Sequence, residues 1–208
     1  MEKQVIVIHG GDVYRTHEEY LKALKNWKVD RSDFESFAHK SGWKESLQTD
    51  LGSGFQVFLF RMPNSFNARY AEWKIWFDKF IPFMDRKVVL IGSSLGGIFL
   101  TKYLSENEFP EKVRIRGVFL VAAPFKGNDS KDYLADFVLP KDLKRLEAYG
   151  EKLHFYQSKD DELVKFKELE EYQKRLPEAQ TRIFTDRGHF FGKKLPEIVK
   201  DIRDIYKV

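Results

Sequence analysis

Short apolar runs alternate along the chain with longer segments in which apolar residues recur every three or four positions. The short runs predict buried strands at 4–8, 56–60, 87–91, 115–121, 153–157 and 181–185. The longer segments predict amphipathic helices near 17–26, 43–51, 67–84, 95–106, 141–149, 163–175 and 195–206. Strands that alternate with helices predict an α/β fold, in which a doubly wound parallel sheet carries helices on both faces.

The length of the chain favours a single domain. Its 208 residues are 42% hydrophobic, which suits one α/β core spanning 1–208. Two segments, 27–42 and 124–140, interrupt the alternation and read as insertions near the rim of the sheet. Such loops form lids or binding walls in some proteins and are plain surface excursions in others, and the sequence favours neither.

Charge and cysteine content narrow the function. The 36 basic and 32 acidic residues are mixed along the chain, without the basic blocks that track nucleic-acid phosphates. With no cysteine, the chain has no disulfides, no thiolate metal sites and no cysteine nucleophile. No apolar run reaches the ~20 residues of a membrane span, and "MEKQ" does not open a signal peptide. We expect a soluble cytoplasmic protein that binds neither nucleic acid nor membrane.

The stretch "LIGSSLGG" links a predicted strand to a predicted helix, which is the setting of a nucleophile elbow. Gly92 and Gly96 stand two residues before and after Ser94, where a tight turn leaves no room for side chains. Ser93 lacks glycines at both offsets and is interpreted as a polar filler. Ser94 is therefore the predicted nucleophile.

A serine nucleophile needs a base, and a carboxylate to orient that base. His189 follows the last predicted strand, whereas the other four histidines lack a comparable position. The acids of "SKDDELV" follow the penultimate strand, and their order along the chain leaves Asp160 and Asp161 both open. The order serine, aspartate, histidine is that of the α/β-hydrolase fold.

Backbone amides are the expected donors to the oxyanion. Leu95 follows the nucleophile at the start of a helix, and the loop "HGGD" brings Gly10 and Gly11 to the end of the first strand. We assign the two donors to the N–H groups of Gly11 and Leu95. We expect no cofactor and no metal ion.

The segments "VIVIHGGDVYRTHEEY", "IGSSLGG", "SKDDELV" and "TDRGHFF" together resemble the serine hydrolases grouped with retinoblastoma-binding protein 9 and its bacterial YdeN-type relatives. The resemblance implies a minimal α/β-hydrolase fold with six parallel strands in the order 2-1-3-4-5-6. It also implies that Ser94, Asp161 and His189 form the catalytic triad. The chain departs from that group at Ser93, where histidine often stands in the superfamily, and at the insertion 27–42.

The leading functional hypothesis is a carboxylesterase-like serine hydrolase that cleaves small to medium esters through an acyl-enzyme intermediate. Amide, peptide or lactone cleavage by the same triad stays open, as does a binding protein on a hydrolase scaffold. We predict that four aromatic residues form an acyl pocket, and we expect this pocket to prefer uncharged esters. The sequence is equally consistent with these residues as part of the core: Phe125, Tyr133, Phe137 and Phe190.

Overall fold

The computed structural model describes residues 3–36, 42–126 and 133–207. Six parallel strands form one sheet in the order β2-β1-β3-β4-β5-β6, which confirms the predicted order. The strands lie within two residues of their predicted bounds. They are β1 (Lys3–Ile8), β2 (Phe55–Phe60), β3 (Val88–Ser93), β4 (Ile115–Val121), β5 (Leu153–Ser158) and β6 (Gln180–Phe184).

Helices cover both faces of this sheet. They are α1 (His17–Asn26), α2 (Arg31–Ser36), α3 (Trp43–Leu51), α4 (Tyr70–Asp78), α5 (Leu95–Glu106), α6 (Lys144–Glu147), α7 (Phe166–Arg175) and α8 (Pro196–Ile205). Single 3-10 turns occupy Ser65–Asn67, Ile81–Phe83 and Gly150–Lys152. Helix α2 falls within the segment 27–42, whose residues 37–41 lie outside the described part of the chain. The segment 124–140 is likewise described except for residues 127–132.

The helix predicted over 67–84 is wrong in extent, because the α-helical part ends at Asp78. A separate 3-10 turn follows at Ile81–Phe83. Pro82 explains the break, because it has no N–H to donate to the carbonyl of Asp78, four residues earlier, and the α-helical hydrogen-bond pattern cannot continue through it.

The alternation of side chains along the strands builds two hydrophobic layers. In β3, Val88 and Leu90 face the layer formed with α4, α5 and α7. Val89 and Ile91 face the layer formed with α3 and α8. All four side chains have no exposed surface, so each contributes roughly 1.5–3 kcal/mol through burial.

The carboxyl ends of the strands meet at one edge of the sheet. Strand β1 lies between β2 and β3, so the connections that leave β1 and β3 diverge at this edge and open a crevice. None of the described helices is both long and apolar enough to cross a bilayer.

Candidate active site

Ser94 lies in the turn between β3 and α5. Its backbone has φ 56° and ψ −122°, a conformation that L-residues rarely adopt and that costs on the order of 1–3 kcal/mol. The N–H of Ser94 donates to the carbonyl of Val121 at 2.8 Å, and its carbonyl accepts from the N–H of Gly97 at 2.8 Å. These bonds hold the strained turn, and Ser94 lines a cavity at the carboxyl edge of the sheet.

The glycines around Ser94 permit a very close backbone approach. A Cβ atom on Gly92 would lie 2.3 Å from the carbonyl oxygen of Gly96. A Cβ atom on Gly96 would lie 2.4 Å from the carbonyl oxygen of Ile8 and 2.6 Å from that of His9. The start of α5 therefore packs directly on the end of β1, and any side chain at these positions would separate the two.

His189 and Asp161 are hydrogen-bonded to each other although they are 28 residues apart. The imidazole Nδ1 lies 2.9 Å from Oδ2 and 3.1 Å from Oδ1 of the carboxylate. The side chains are 8% and 0% exposed, respectively. A carboxylate accepts only, so Nδ1 carries the proton of neutral His189 and Nε2 is left as a base.

The Asp161 carboxylate is held by further donors from its own loop and from the end of β5. Oδ1 accepts from the N–H groups of Leu163 and Val164, each at 2.9 Å. Oδ2 lies 3.3 Å from the amide Nε2 of Gln157. A carboxylate fixed in this way can orient the imidazole without changing its own position.

Asp160 contacts backbone and hydroxyl groups instead of the imidazole. It accepts hydrogen bonds from the Ser158 hydroxyl and from the N–H of Gly188, the latter at 3.0 Å. The Ser158 hydroxyl in turn accepts from the N–H of Arg187 at 3.1 Å. The bond from Ser158 is the main reason that the pKa of Asp160 lies below its usual value. Asp160 therefore joins the loop after β5 to the loop that carries His189.

A third acid near the histidine, Asp186, points to solvent. Its side chain is 79% exposed, and it contacts Arg187 at 3.8 Å.

Two backbone N–H groups adjoin Ser94 without a protein acceptor. Gly11 and Leu95 line the same cavity as Ser94. Neither N–H donates to any acceptor within residues 3–36, 42–126 and 133–207. Unpaired amides beside a serine hydroxyl are suited to bind a developing oxyanion.

His9 holds the loop that carries Gly11, a role that sequence reasoning missed. Its Nε2 accepts from the N–H of Met62 at 2.9 Å, so Nδ1 carries the proton and donates to the carbonyl of Gly10. The edge of the ring contacts Trp73, with 5.6 Å between ring centroids. Burial lowers the pKa of His9 and favours the neutral imidazole that this pattern requires. The only sequence signal was the position of His9 directly before the glycine pair.

Lys44 approaches the elbow from the opposite side of the sheet. Its Nζ lies 3.4 Å from the Ser93 hydroxyl, and burial lowers its pKa. Ser93 is 5% exposed and follows Val89 and Ile91 on the face covered by α3 and α8. The two adjacent serines therefore belong to different surroundings, with Ser94 in the cavity and Ser93 beside Lys44.

Three of the four aromatic residues predicted to form an acyl pocket line one cavity, and the fourth lies in the core. Tyr133 lines the cavity of about 250 Å³ that contains Ser94. Phe125 and Phe137 line a neighbouring cavity of about 410 Å³, to which Tyr133 also contributes. Phe190 is 4% exposed and packs with the α3–α8 layer, where its carbonyl accepts from the indole N–H of Trp43 at 2.9 Å.

The remaining histidines contact other groups. His17 begins α1 and packs against Tyr20, and His154 stacks on Phe119. His39 lies outside the described residues. Within the ranges that the structure covers, no three His, Asp or Glu side chains are arranged to hold a metal ion.

Known proteins resemble this chain in sequence or in structure. Rat serine hydrolase RBBP9 is 27% identical over 174 residues, which are 79% of this chain and 86% of that protein. The ydeN gene product of B. subtilis superposes with a TM-score of 0.76 at 20% identity and covers 99% of this chain and 100% of its own. An esterase of Pyrococcus furiosus superposes with a TM-score of 0.56 at 18% identity, covering 99% and 82%. At these identities the two structures show the fold alone.

The family assignment comes from the sequence match. The model of the serine hydrolase family matches residues 37–194, well over half of the chain. This range includes Ser94, Asp161 and His189. The chain belongs to the serine hydrolase family and has the α/β-hydrolase fold.

Proposed function

We propose that this serine hydrolase cleaves small to medium carboxylic esters through Ser94, His189 and Asp161. The observation that carries the proposal is the buried hydrogen bond between His189 Nδ1 and the Asp161 carboxylate at 2.9 Å. This pair belongs to the loops after β6 and β5, at the same edge of the sheet as the strained turn of Ser94. A base oriented in this way has Nε2 available to take a proton from a serine hydroxyl.

In the proposed reaction, the Ser94 hydroxyl oxygen attacks the ester carbonyl while His189 Nε2 takes the hydroxyl proton. The negative charge that develops on the carbonyl oxygen is bound by the N–H groups of Gly11 and Leu95. The tetrahedral intermediate then expels the alcohol, to which His189 returns the proton, and the acyl group stays on Ser94.

Water completes the cycle. His189 takes a proton from the water molecule as its oxygen attacks the acyl carbonyl. The second tetrahedral intermediate collapses, the carboxylic acid leaves, and the proton returns to the Ser94 oxygen. Asp161 remains ionised throughout and stabilises the transient imidazolium.

A fluorophosphonate probe tests the nucleophile. We expect the native protein to be labelled, the Ser94→Ala variant to stay unlabelled, and the matched Ser93→Ala variant to be labelled like the native protein. Hydrolysis of short acyl esters, measured beside the corresponding amides and lactones, tests the substrate class. Absence of both labelling and ester hydrolysis would contradict the proposal, and faster cleavage of amides or lactones would reassign the substrate.

A further inference from the structure

A second cavity adjoins the one that contains Ser94. The two have volumes of about 410 Å³ and about 250 Å³, and they share Lys126, Tyr133 and Leu134 in their walls. A substrate whose carbonyl lies at Ser94 would therefore reach the larger cavity by extending past Tyr133 and Leu134.

The larger cavity has a strongly positive lining. Arg15, Lys126, Lys141 and Arg175 line it, and no acidic residue does so in the part of the chain that the structure describes. The whole protein has a net charge of only +4, from 36 basic and 32 acidic residues. Four cations around one cavity are thus a local concentration, which attracts anions and raises their concentration at the site.

The two arginines are placed by aromatic rings instead of carboxylates. The Arg15 guanidinium lies 4.8 Å from the centre of the Tyr133 ring, and that of Arg175 lies 5.0 Å from the centre of the Phe125 ring. Arg175 also donates to the carbonyl of Lys141 at 3.0 Å. Stacking orients a guanidinium and leaves most of its N–H donors available for a carboxylate or phosphate.

Three of the four cations have no ion pair with any residue that the structure describes. Among the described residues, no carboxylate lies within 4.0 Å of the side-chain nitrogens of Arg15, Lys141 or Arg175. Lys126 has Glu171 at 4.0 Å, the outer limit of an ion pair. The pKa of Glu171 is lowered mainly by its hydrogen bond from Lys174 and further by the charges of Lys126 and Arg175, so among the described residues this carboxylate offsets part of the positive charge of the cavity.

The rest of the lining is apolar and includes Phe137, Leu139 and Pro140. A cavity lined by both apolar side chains and cations suits a ligand that combines a short hydrocarbon body with an anionic end.

We propose that this cavity is the subsite for an anionic group, a carboxylate or a phosphate, that the substrate carries several bonds away from the ester carbonyl. The inference rests on the proposed esterase function and names its substrate class. It replaces the expectation from sequence that uncharged esters are preferred.

The test compares monophenyl glutarate, whose acyl chain ends in a carboxylate, with its uncharged methyl ester, methyl phenyl glutarate. Phenyl 4-phosphonobutanoate, whose acyl chain ends in a phosphonate, tests a phosphate-like group in the same way. We expect kcat/KM for at least one anionic ester to exceed that for the uncharged ester by about tenfold, the effect of one charge-assisted hydrogen bond. This ratio should decrease as the salt concentration rises.

Substitutions of the lining residues test whether the ratio of kcat/KM between anionic and uncharged esters depends on this cavity. Arg175→Gln should reduce it several-fold, and so should Lys126→Gln combined with Lys141→Gln, two exposed lysines whose replacement does not endanger folding. Lys200→Gln removes an exposed charge on α8, on the opposite face of the sheet, and should leave the ratio unchanged. The proposal is overturned if kcat/KM is equal for charged and uncharged esters, or if the ratio does not change when the cavity residues are substituted. Either result leaves the esterase function intact.

A binding measurement separates the two proposals. Monophenyl glutarate should bind Ser94→Ala protein more tightly than methyl phenyl glutarate does in calorimetric titrations. If neither ester is hydrolysed by the native protein but this difference is found, the anion subsite stands and the esterase function fails. If neither monophenyl glutarate nor phenyl 4-phosphonobutanoate binds more tightly than methyl phenyl glutarate, the subsite is refuted whatever the activity.

Discussion

The His9 imidazole donates a hydrogen bond to the carbonyl of Gly10, the carbonyl of the same peptide unit that supplies the N–H of Gly11. In a planar trans peptide the C=O and N–H bonds point in opposite directions. Fixing the Gly10 carbonyl therefore fixes the direction of the Gly11 N–H beside Ser94. His9 is a positioning residue for the proposed oxyanion site.

Replacing His9 by Phe should slow ester hydrolysis without unfolding the protein. The ring contact with Trp73 is retained, but the Gly10 carbonyl and the Met62 N–H lose their partner. We expect kcat to fall by roughly 10–10²-fold with little change in KM, because the donor acts mainly in the transition state. His9→Gln, which retains a donor and an acceptor, should recover part of kcat. A change in KM alone would contradict this role.

The two adjacent serines should differ sharply when each is changed to Ala. Ser94→Ala should lower kcat by on the order of 10⁴–10⁶. Ser93→Ala should have a much smaller effect, because the Ser93 hydroxyl contacts Lys44 on the other side of the sheet. Initial rates with a short acyl ester measure both. Similar losses from the two changes would mean that the nucleophile is misassigned.

The two adjacent acids offer a similar comparison. Asp161→Asn should lower kcat by about 10⁴, since an amide cannot hold the imidazole in the required tautomer. Asp160→Asn should retain most of the activity, because Asp160 bonds to Ser158 and Gly188. The measurement is kcat for each variant. If kcat falls more in Asp160→Asn than in Asp161→Asn, the carboxylate that orients His189 is Asp160. If both variants keep full activity, another acid has this role.

Gly96→Ala should destabilise the fold itself. The new Cβ atom would lie 2.4 Å from the carbonyl oxygen of Ile8, so the start of α5 must move away from β1. We expect a loss of at least about 2 kcal/mol in the free energy of unfolding, measured with urea. The control is Gly54→Ala, where the added Cβ has no atom within 4 Å and the change should stay within about 0.5 kcal/mol. If Gly96→Ala is as stable as the native protein, the turn at Ser94 can accommodate a Cβ atom at position 96, contrary to this prediction.

Acid should destabilise the protein partly through His154. Burial lowers the pKa of His154 from 6.5 in the unfolded chain to about 4. Both states are neutral above pH 6.5; as the pH falls from there towards about 4, the unfolded chain takes up a proton first and stability is lost. Asp201 opposes this shift, and Arg182 adds to it.

The measurement is the free energy of unfolding at about pH 7 and about pH 5. His154→Gln should lose less stability than the native protein over this interval. His9 contributes a loss of the same sign, since burial lowers its pKa as well, and it should account for part of what remains. An unchanged pH dependence in His154→Gln would show that folding does not shift the pKa of His154.

The strands and the site loops could be predicted from local patterns. Buried strands appear as short apolar runs, and the resemblance to known hydrolases supplied their order in the sheet. The glycine spacing around Ser94 was equally informative, because the close approach at Gly92 and Gly96 excludes any larger residue. The apolar runs and the glycine spacing can be read from one sequence, although the close approach that Gly96 permits is to Ile8 and His9, far away in the chain.

Other features depended on the tertiary structure, because they join residues that are far apart in the chain. Either Asp160 or Asp161 fitted the order of elements, and only the folded loop shows which carboxylate contacts His189. His9 gained a role through Met62, 53 residues away. Of the aromatic residues of the expected pocket, Phe125, Tyr133 and Phe137 line one cavity and Phe190 packs in the core, because the fold sets the direction of each side chain. Local sequence determined which groups were available, and packing between distant segments decided which of them meet.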